Sequence, residues 1–511
     1  MRSVLGFSLM LVVSSIASAQ APDTGKLVAE VWENALLDDG KGGFIKAGHV
    51  HLTIHEVEVD GQKVLRGLKE LRLTIRRGNQ QAKLESDNGT DELLDGTVVG
   101  VSMRQLLGQN QSLVLRGQVE GKRLKYAVEG PTKQEKEIGW DPRVIGIAGE
   151  QTFMRDKKPK PGDEFDYFVF EPTIAFVVPV HVKVEDYEEM PVVGGTRKML
   201  RVKATPEKIQ GVQLPSSVMW FDALTWAPLQ TQVELPGLGK LRMVRATKQS
   251  ALSPVGQVGG IDLIGNQAIQ LDKSVPGIHQ QRAVTYRITL KKDDEPLTAF
   301  AADGRQSIKA VDGLPHSIDL TIEANRRPMK MDKVDPAPDE YLKSNFYINS
   351  DDAKVREYAK LAVGNAKTDR AKALNVARWV HQNMQAFTYT EAMATADQVA
   401  KNLKGDCSEF AMLTAAMCRA EGVASRTALG LIYVEGRPKS MLAFHMWTEV
   451  YLDGQWVGID ATLPGSGVGP GHLKIRDCSW YDDRSFKPLL PVMRVIMAEP
   501  KAEILRVYPP E

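Results

Sequence analysis

From residue 26 to about residue 250, apolar and polar positions alternate with a period of two. Val50, Leu52 and Ile54 are separated by His51 and Thr53; Leu71, Leu73 and Ile75 are separated by Arg72 and Thr74; Asp60-Gly61 lies between the runs. Successive strand side chains point to opposite faces, so this pattern predicts half-buried strands, and an Asp-Gly pair suits a two-residue hairpin turn. The segment 20–270 therefore reads as an antiparallel β-rich domain with one wet face. Alternation returns in Ala283–Leu290 and Ser317–Glu323, which places a second β-rich unit at 271–338. It ends in a linker, Asp335-Pro-Ala-Pro-Asp339, where the prolines break regular structure.

Beyond the linker the period becomes helical. Val355, Tyr358, Ala359, Ala362 and Val363 recur at three- and four-residue steps, and so do Leu374, Ala377, Val380 and Met384. A third helix is expected to begin at Gly405-Asp406-Cys407, to bury Phe410, Leu413 and Met417, and to stop at Gly422. Two strands should follow, Phe444–Leu452 and Gln455–Ala461, joined by Asp453-Gly454. Helices followed by sheet make 339–480 an α+β domain, with 481–511 as a C-terminal strand extension.

The ends and the charge narrow the setting. The first residues, MRSVLGFSLMLVVSSIASAQA, combine Arg2, an apolar run and the small-residue site Ala17-Ser18-Ala19, which predicts a signal peptide at 1–19 and a secreted or periplasmic product. Elsewhere the most apolar stretch, Thr173–Val182, contains a proline and is about half the length of a membrane span, so no stable membrane insertion is expected once the leader is removed. Lys plus Arg number 65 against 64 for Asp plus Glu, which gives nucleic acid no electrostatic handle.

Only three cysteines occur, Cys407, Cys418 and Cys478, so disulfides do not build the scaffold and at least one thiol is free or paired between chains. Cys407 stands where a helix should start, where unpaired N–H groups and the helix dipole stabilise a thiolate. Cys418, on the same helix, would be roughly 16 Å further along, too far for a disulfide with Cys407. Pairing of Cys407 with Cys478 stays open. If Asp453-Gly454 closes a two-residue hairpin, Asp460 falls opposite Trp447, and His445, two residues from Trp447, becomes its diagonal neighbour on one face. A carboxylate bonded to one imidazole nitrogen would fix the tautomer and leave the other nitrogen to activate the thiol. Glu449, opposite Gly458 on that face, is the competing carboxylate.

The strings Gly405-Asp-Cys-Ser-Glu-Phe-Ala411, Arg419-Ala-Glu-Gly-Val-Ala-Ser-Arg426, His445-Met-Trp-Thr-Glu-Val450 and Trp456-Val-Gly-Ile-Asp-Ala461 resemble the transglutaminase-like superfamily of papain-like fold. The resemblance covers about residues 340 to 475. It implies Cys407 as nucleophile, His445 as general base and acid, Asp460 as orienting residue, and protein or peptide substrates. Ala424 departs from the proline usual in the family. Nothing matches the calcium sites of the animal crosslinking enzymes, and neither cofactor nor metal is expected. The chemistry implied is acyl transfer through a thioester, resolved by water or by an amine, with the Cys407 N–H as one oxyanion donor. The alternative is a non-catalytic envelope binding or scaffold protein with a degenerate domain. His49, His51 and His55 lie on the polar face of one predicted strand, but no carboxylate or thiol on that strand completes a metal ligand set.

Overall fold

The computed structural model describes residues 25–59, 61–77, 80–108, 111–129, 134–192, 195–235, 239–255, 268–324, 335–384, 393–436, 439–463, 465, 467–481 and 484–510. The expected leader at 1–19 lies outside these. Among the described residues no helix is long and apolar enough to cross a membrane.

Fourteen strands between Lys26 and Ala246 form one antiparallel sheet. Nearly every strand pairs with its neighbour in sequence. The exception is the seam, where Lys26–Asp38 pairs with Gly239–Ala246, from Trp32↔Ala246 to Leu37↔Leu241. Two meanders therefore lead outward from the seam, one ending at Gln134–Gly139 and the other at Glu164–Glu171. The expected alternation is present: Val50 pairs with Leu71, and Val50, Leu52 and Ile54 are buried between half-buried polar residues. One helix, Ile147–Lys157, interrupts the strands and was not legible from the period-two pattern. Its Ile147 and Ala148 are buried with Leu52 and Ile54, whereas Met154 is buried with Val180, Val182 and Leu200 from the other meander, so the sheet curls around the helix. The buried Glu92 caps it, accepting the N–H groups of Ala148 and Gly149, each at 2.8 Å.

The second β-rich unit is a four-stranded sheet in the order Gln306–Ala310, Ser317–Glu323, Ala283–Leu290, Pro500–Tyr508. The tail is thus more than a strand extension: a helix, Leu490–Met497, precedes the last strand, which returns to pair with Ala283–Leu290.

The α+β part has helices Ala353–Val363, Asp369–Asn383, Ala396–Asn402 and Cys407–Ala420. Its sheet runs Ile269–Gln270, Met441–Leu452, Ser425–Val434, His472–Cys478, with Gln455–Ile459 also pairing to Met441–Leu452. The strand Ser425–Val434 is buried on both faces and shows no alternation, so a period-two pattern does not announce it. Two cores join the parts. Val98, Met103, Leu113 and Leu115 of the large sheet share one with Tyr347, Val376 and Met417 of the helical part. Tyr286, Ile288 and Leu320 of the four-stranded sheet share another with Leu431, Tyr433 and Leu473.

Candidate active site

The helix Cys407–Ala420 starts where expected. Asp406 and Glu409 form a reciprocal capping box: Asp406 Oδ1 accepts the Ser408 N–H at 3.0 Å, and Glu409 Oε2 accepts the Asp406 N–H at 2.9 Å. Gly405 has φ +151°, and a Cβ there would stand 2.3 Å from the Glu409 Cβ, so this close approach needs glycine. The fully buried Glu409 also accepts the Ala394 N–H at 2.9 Å, and Thr395 next to it exchanges hydrogen bonds with Gln111 of the large sheet. Burial and the neighbouring Asp406 hold the Glu409 carboxyl well above the usual range. Cys407 is half-buried, and its N–H has no acceptor among the described residues.

The hairpin register agrees with the turn argument. Leu452 faces Gln455, Glu449 faces Gly458 and Thr448 faces Ile459, which carries Asp460 to the position beside Trp447. His445 Nε2 lies 2.8 Å from Asp460 Oδ2, and the two side chains are 7% and 1% exposed. Asp460 Oδ1 accepts the N–H of Thr462 at 2.9 Å and its hydroxyl at 2.7 Å. Burial alone would lower the His445 imidazole, but the charge and hydrogen bond of Asp460, with smaller contributions from the nearby Cys407 thiol, raise it to about 10. Burial opposes ionisation of Asp460, yet His445 and then His472 hold its carboxyl well below the usual range. The competing carboxylate is spoken for: Glu449 pairs with Arg426 at 2.7 Å and Lys474 at 3.1 Å.

All three cysteines are free, so the open pairing of Cys407 with Cys478 is not made. Cys418 is buried, and burial pushes its thiol up to about 12. Of the upstream histidines, His51 is drawn into a surface ladder. His51 Nδ1 is 2.8 Å from Glu70 and Nε2 is 3.1 Å from Glu30, carboxylates supplied by neighbouring strands, which occupies both ring nitrogens.

One residue at the site escaped the sequence reasoning. His472 is fully buried and its Nε2 lies 3.0 Å from the same Asp460 oxygen that His445 uses. The signal available was Gly469-Pro-Gly-His472, a glycine-flanked turn leading into a strand, which does not by itself announce chemistry. His445, Asp460 and His472 are also, among the described residues, the three whose donor atoms lie within 4.8 Å of one another in a set able to hold a metal ion.

Residues 356–461 match the profile of the Transglutaminase-like superfamily. No curated protein matches the chain at a significant level. Among solved structures, the chain is similar to a candidate cysteine protease from Cytophaga hutchinsonii, with 18% identity, 45% of this chain and 87% of that one covered, and a TM-score of 0.28. It is similar to a β-barrel-like protein of unknown function from Brucella abortus, with 12% identity, coverage of 44% and 98%, and a TM-score of 0.33. It is also similar to the periplasmic domain of TgpA from Pseudomonas aeruginosa, with 15% identity, coverage of 38% and 88%, and a TM-score of 0.26. The matched segment, 356–461, spans Cys407, His445 and Asp460, so the similarity to the transglutaminase-like superfamily falls on the C-terminal part that holds these residues.

Proposed function

We propose that the chain is an exported, thiol-dependent acyl-transfer enzyme of papain-like design that acts on envelope or extracellular proteins or peptides. The observation that carries this reading is the His445 imidazole, bonded at 2.8 Å to a buried carboxylate, with the Cys407 thiol that opens a capped helix among the groups that act on it. With Nε2 turned to Asp460, Nδ1 is the nitrogen left for Cys407. The raised imidazole favours an imidazolium beside the thiol.

In the first half-reaction the Cys407 thiolate adds to an amide carbonyl carbon. The carbonyl oxygen takes up the negative charge at the Cys407 N–H. His445 then gives its proton to the amine nitrogen, the C–N bond breaks, and a thioester remains. In the second half-reaction, neutral His445 removes a proton from water or an acceptor amine as that nucleophile attacks the thioester, and the sulfur leaves. Asp460 holds the ring in place and stabilises its charged form throughout. The leader pattern at 1–19 supports export.

The test is limited alkylation of native protein read by mass spectrometry. Cys407 should be modified well before Cys418 or Cys478, Cys418 should react only after unfolding, and His445→Ala should slow Cys407. A Cys407 that reacts no faster than Cys418, or that is found bonded to Cys478 in native material, defeats the enzyme reading and favours a binding or scaffold protein.

A further inference from the structure

Asp460 Oδ2 is shared by two imidazoles, and the Cys407 thiol acts on His445 alone of the two. We propose that His472 is a positioning residue: its neutral ring, on a strand whose backbone is braced by the second β-rich unit, donates Nε2–H to Asp460 and thereby limits how tightly Asp460 grips the His445 imidazolium. This rests on the triad reading given above.

The geometry favours a neutral ring. An ionised carboxylate only accepts hydrogen bonds, so His472 must donate from Nε2 at 3.0 Å. Its Nδ1 is buried and has no hydrogen-bond partner among the described residues. Protonating that nitrogen would bury an unsatisfied N–H. The groups around the ring point the same way: His279 lies edge-on with centroids 5.2 Å apart, His445 is 5.9 Å away, and the Trp447 indole covers another side at 5.3 Å. Asp460 is the acceptor that His472 meets. Arg305 and Lys474 add positive charge nearby, Arg305 on the His472 carbonyl and Lys474 two residues along the strand. Burial accordingly lowers the ring to about 4, with His445 and His279 adding to the effect against the pull of Asp460.

The second β-rich unit places this ring. Arg305 donates to the carbonyl of His472 at 2.9 Å and to that of Gly469 at 3.3 Å, and the Tyr286 hydroxyl donates to the Pro470 carbonyl at 3.2 Å. Gln306 accepts the Lys474 N–H at 2.8 Å. Gly469 and Gly471 leave no room for a side chain: a Cβ would stand 2.1 Å from the His279 carbonyl oxygen or 2.4 Å from the His279 ring. Two imidazoles on one carboxylate thus have unlike duties. His445 carries the proton that moves, and His472 draws charge from Asp460 so that His445 can release that proton to resolve the thioester.

The experiment uses p-nitrophenyl acetate as acyl probe and follows burst and turnover across pH in the full chain. Wild type, His472→Phe, His472→Gln and His445→Ala are compared. His472→Phe removes the donor, and the limb on which turnover rises with pH should move up by about one unit, equivalent to about tenfold less free base at a given pH below it. The ratio of burst rate to turnover should rise by about the same factor. His472→Gln, which keeps an N–H donor, should restore most of the shift. A pH profile of His472→Phe that coincides with wild type, while His445→Ala abolishes the burst, overturns the proposal and leaves the triad standing. Loss of effect in His445→Ala itself sinks the triad reading instead. Histidine-labelled NMR of unsubstituted protein decides the matter if His472→Phe does not fold. A neutral Nε2–H ring for His472 at pH 7 is expected, and an imidazolium or an Nδ1–H tautomer refutes it.

Discussion

Two imidazoles in this chain lie the same distance, 2.8 Å, from a carboxylate: His51 from Glu70 in the large sheet and His445 from Asp460 in the C-terminal part. Their surroundings differ. His51 is 19% exposed, stacks on Trp32 with ring centroids 3.7 Å apart, and turns its other nitrogen to a second carboxylate, Glu30. His445 is 7% exposed, its carboxylate 1%, and the groups acting on it are that acid and a thiol. A histidine–carboxylate hydrogen bond is therefore common material. Chemistry is suggested only when water is excluded and the free nitrogen meets a nucleophile. Around His51 both nitrogens are consumed by acids, which leaves a cross-strand ion ladder.

The largest expected contrast between the two is in rate. His445→Ala should lower turnover of an activated acyl probe by about 10²–10⁴-fold, the range associated with removing a positioned general base. His51→Ala should leave turnover unchanged. Equal effects from both substitutions would erase the distinction and point to general destabilisation.

Next comes stability. Asp460→Asn removes the charge that a buried, raised imidazole depends on, and breaking a buried pair by removing one partner costs about 3–5 kcal/mol. Glu70→Gln acts on a partly exposed pair, where about 0–1 kcal/mol is expected. Urea midpoints at neutral pH for the two variants check this. A drop for Asp460→Asn no greater than that for Glu70→Gln would show that the buried pair is compensated by water or rearrangement.

Much of this contrast was legible in the sequence. The Asp453-Gly454 hairpin put Asp460 beside Trp447, and the observed pairs from Leu452↔Gln455 to Thr448↔Ile459 agree. The Gly405-Asp406-Cys407 turn marked the helix start, where the structure places a capping box of Asp406 and Glu409. What local pattern could not carry was anything set by long-range pairing. The strand Ser425–Val434 is apolar on both sides, and His472 reaches Asp460 only because its strand lies two places across the sheet from His445. The occupation of Glu449 by Arg426 and Lys474, and of His51 by Glu30 and Glu70, likewise depends on neighbours from other strands.

The pH dependence of stability should separate the two imidazoles that share Asp460. His445 is raised in the folded state to about 10 from an ordinary 6.5, so its contribution is complete below about pH 6.5 and is lost as pH rises toward 10. His472 is lowered to about 4, so the unfolded chain takes up the proton first and stability falls as pH drops from about 6.5 toward 4. Asp460, held low, adds to the loss further down, below the ordinary carboxylate range. Each histidine can contribute a slope of up to about 1.4 kcal/mol per pH unit within its window. His445→Gln should flatten the alkaline side of the stability curve, and His472→Gln the side between pH 6.5 and 4. If His472→Gln flattens the alkaline side instead, the assignment of the neutral ring is reversed.

The smallest effect is the most direct measure of what burial adds. A double-mutant cycle of His51→Ala and Glu70→Ala should give a coupling of about 1 kcal/mol or less at low salt and neutral pH. Raising the salt to about 1 M, where the screening length shrinks to about 3 Å, should remove most of it, because water and ions reach this strand face. The matching cycle of His445→Ala and Asp460→Ala should give a larger coupling that salt barely changes, since neither partner is more than 7% exposed. Salt is the discriminating variable, because the two hydrogen bonds are equal in length and their geometry cannot account for a difference in screening. Similar salt dependence at both sites would mean that solvent enters the C-terminal site as freely as it reaches the outer face of the sheet, and the case for a dry, preorganised imidazole would fail.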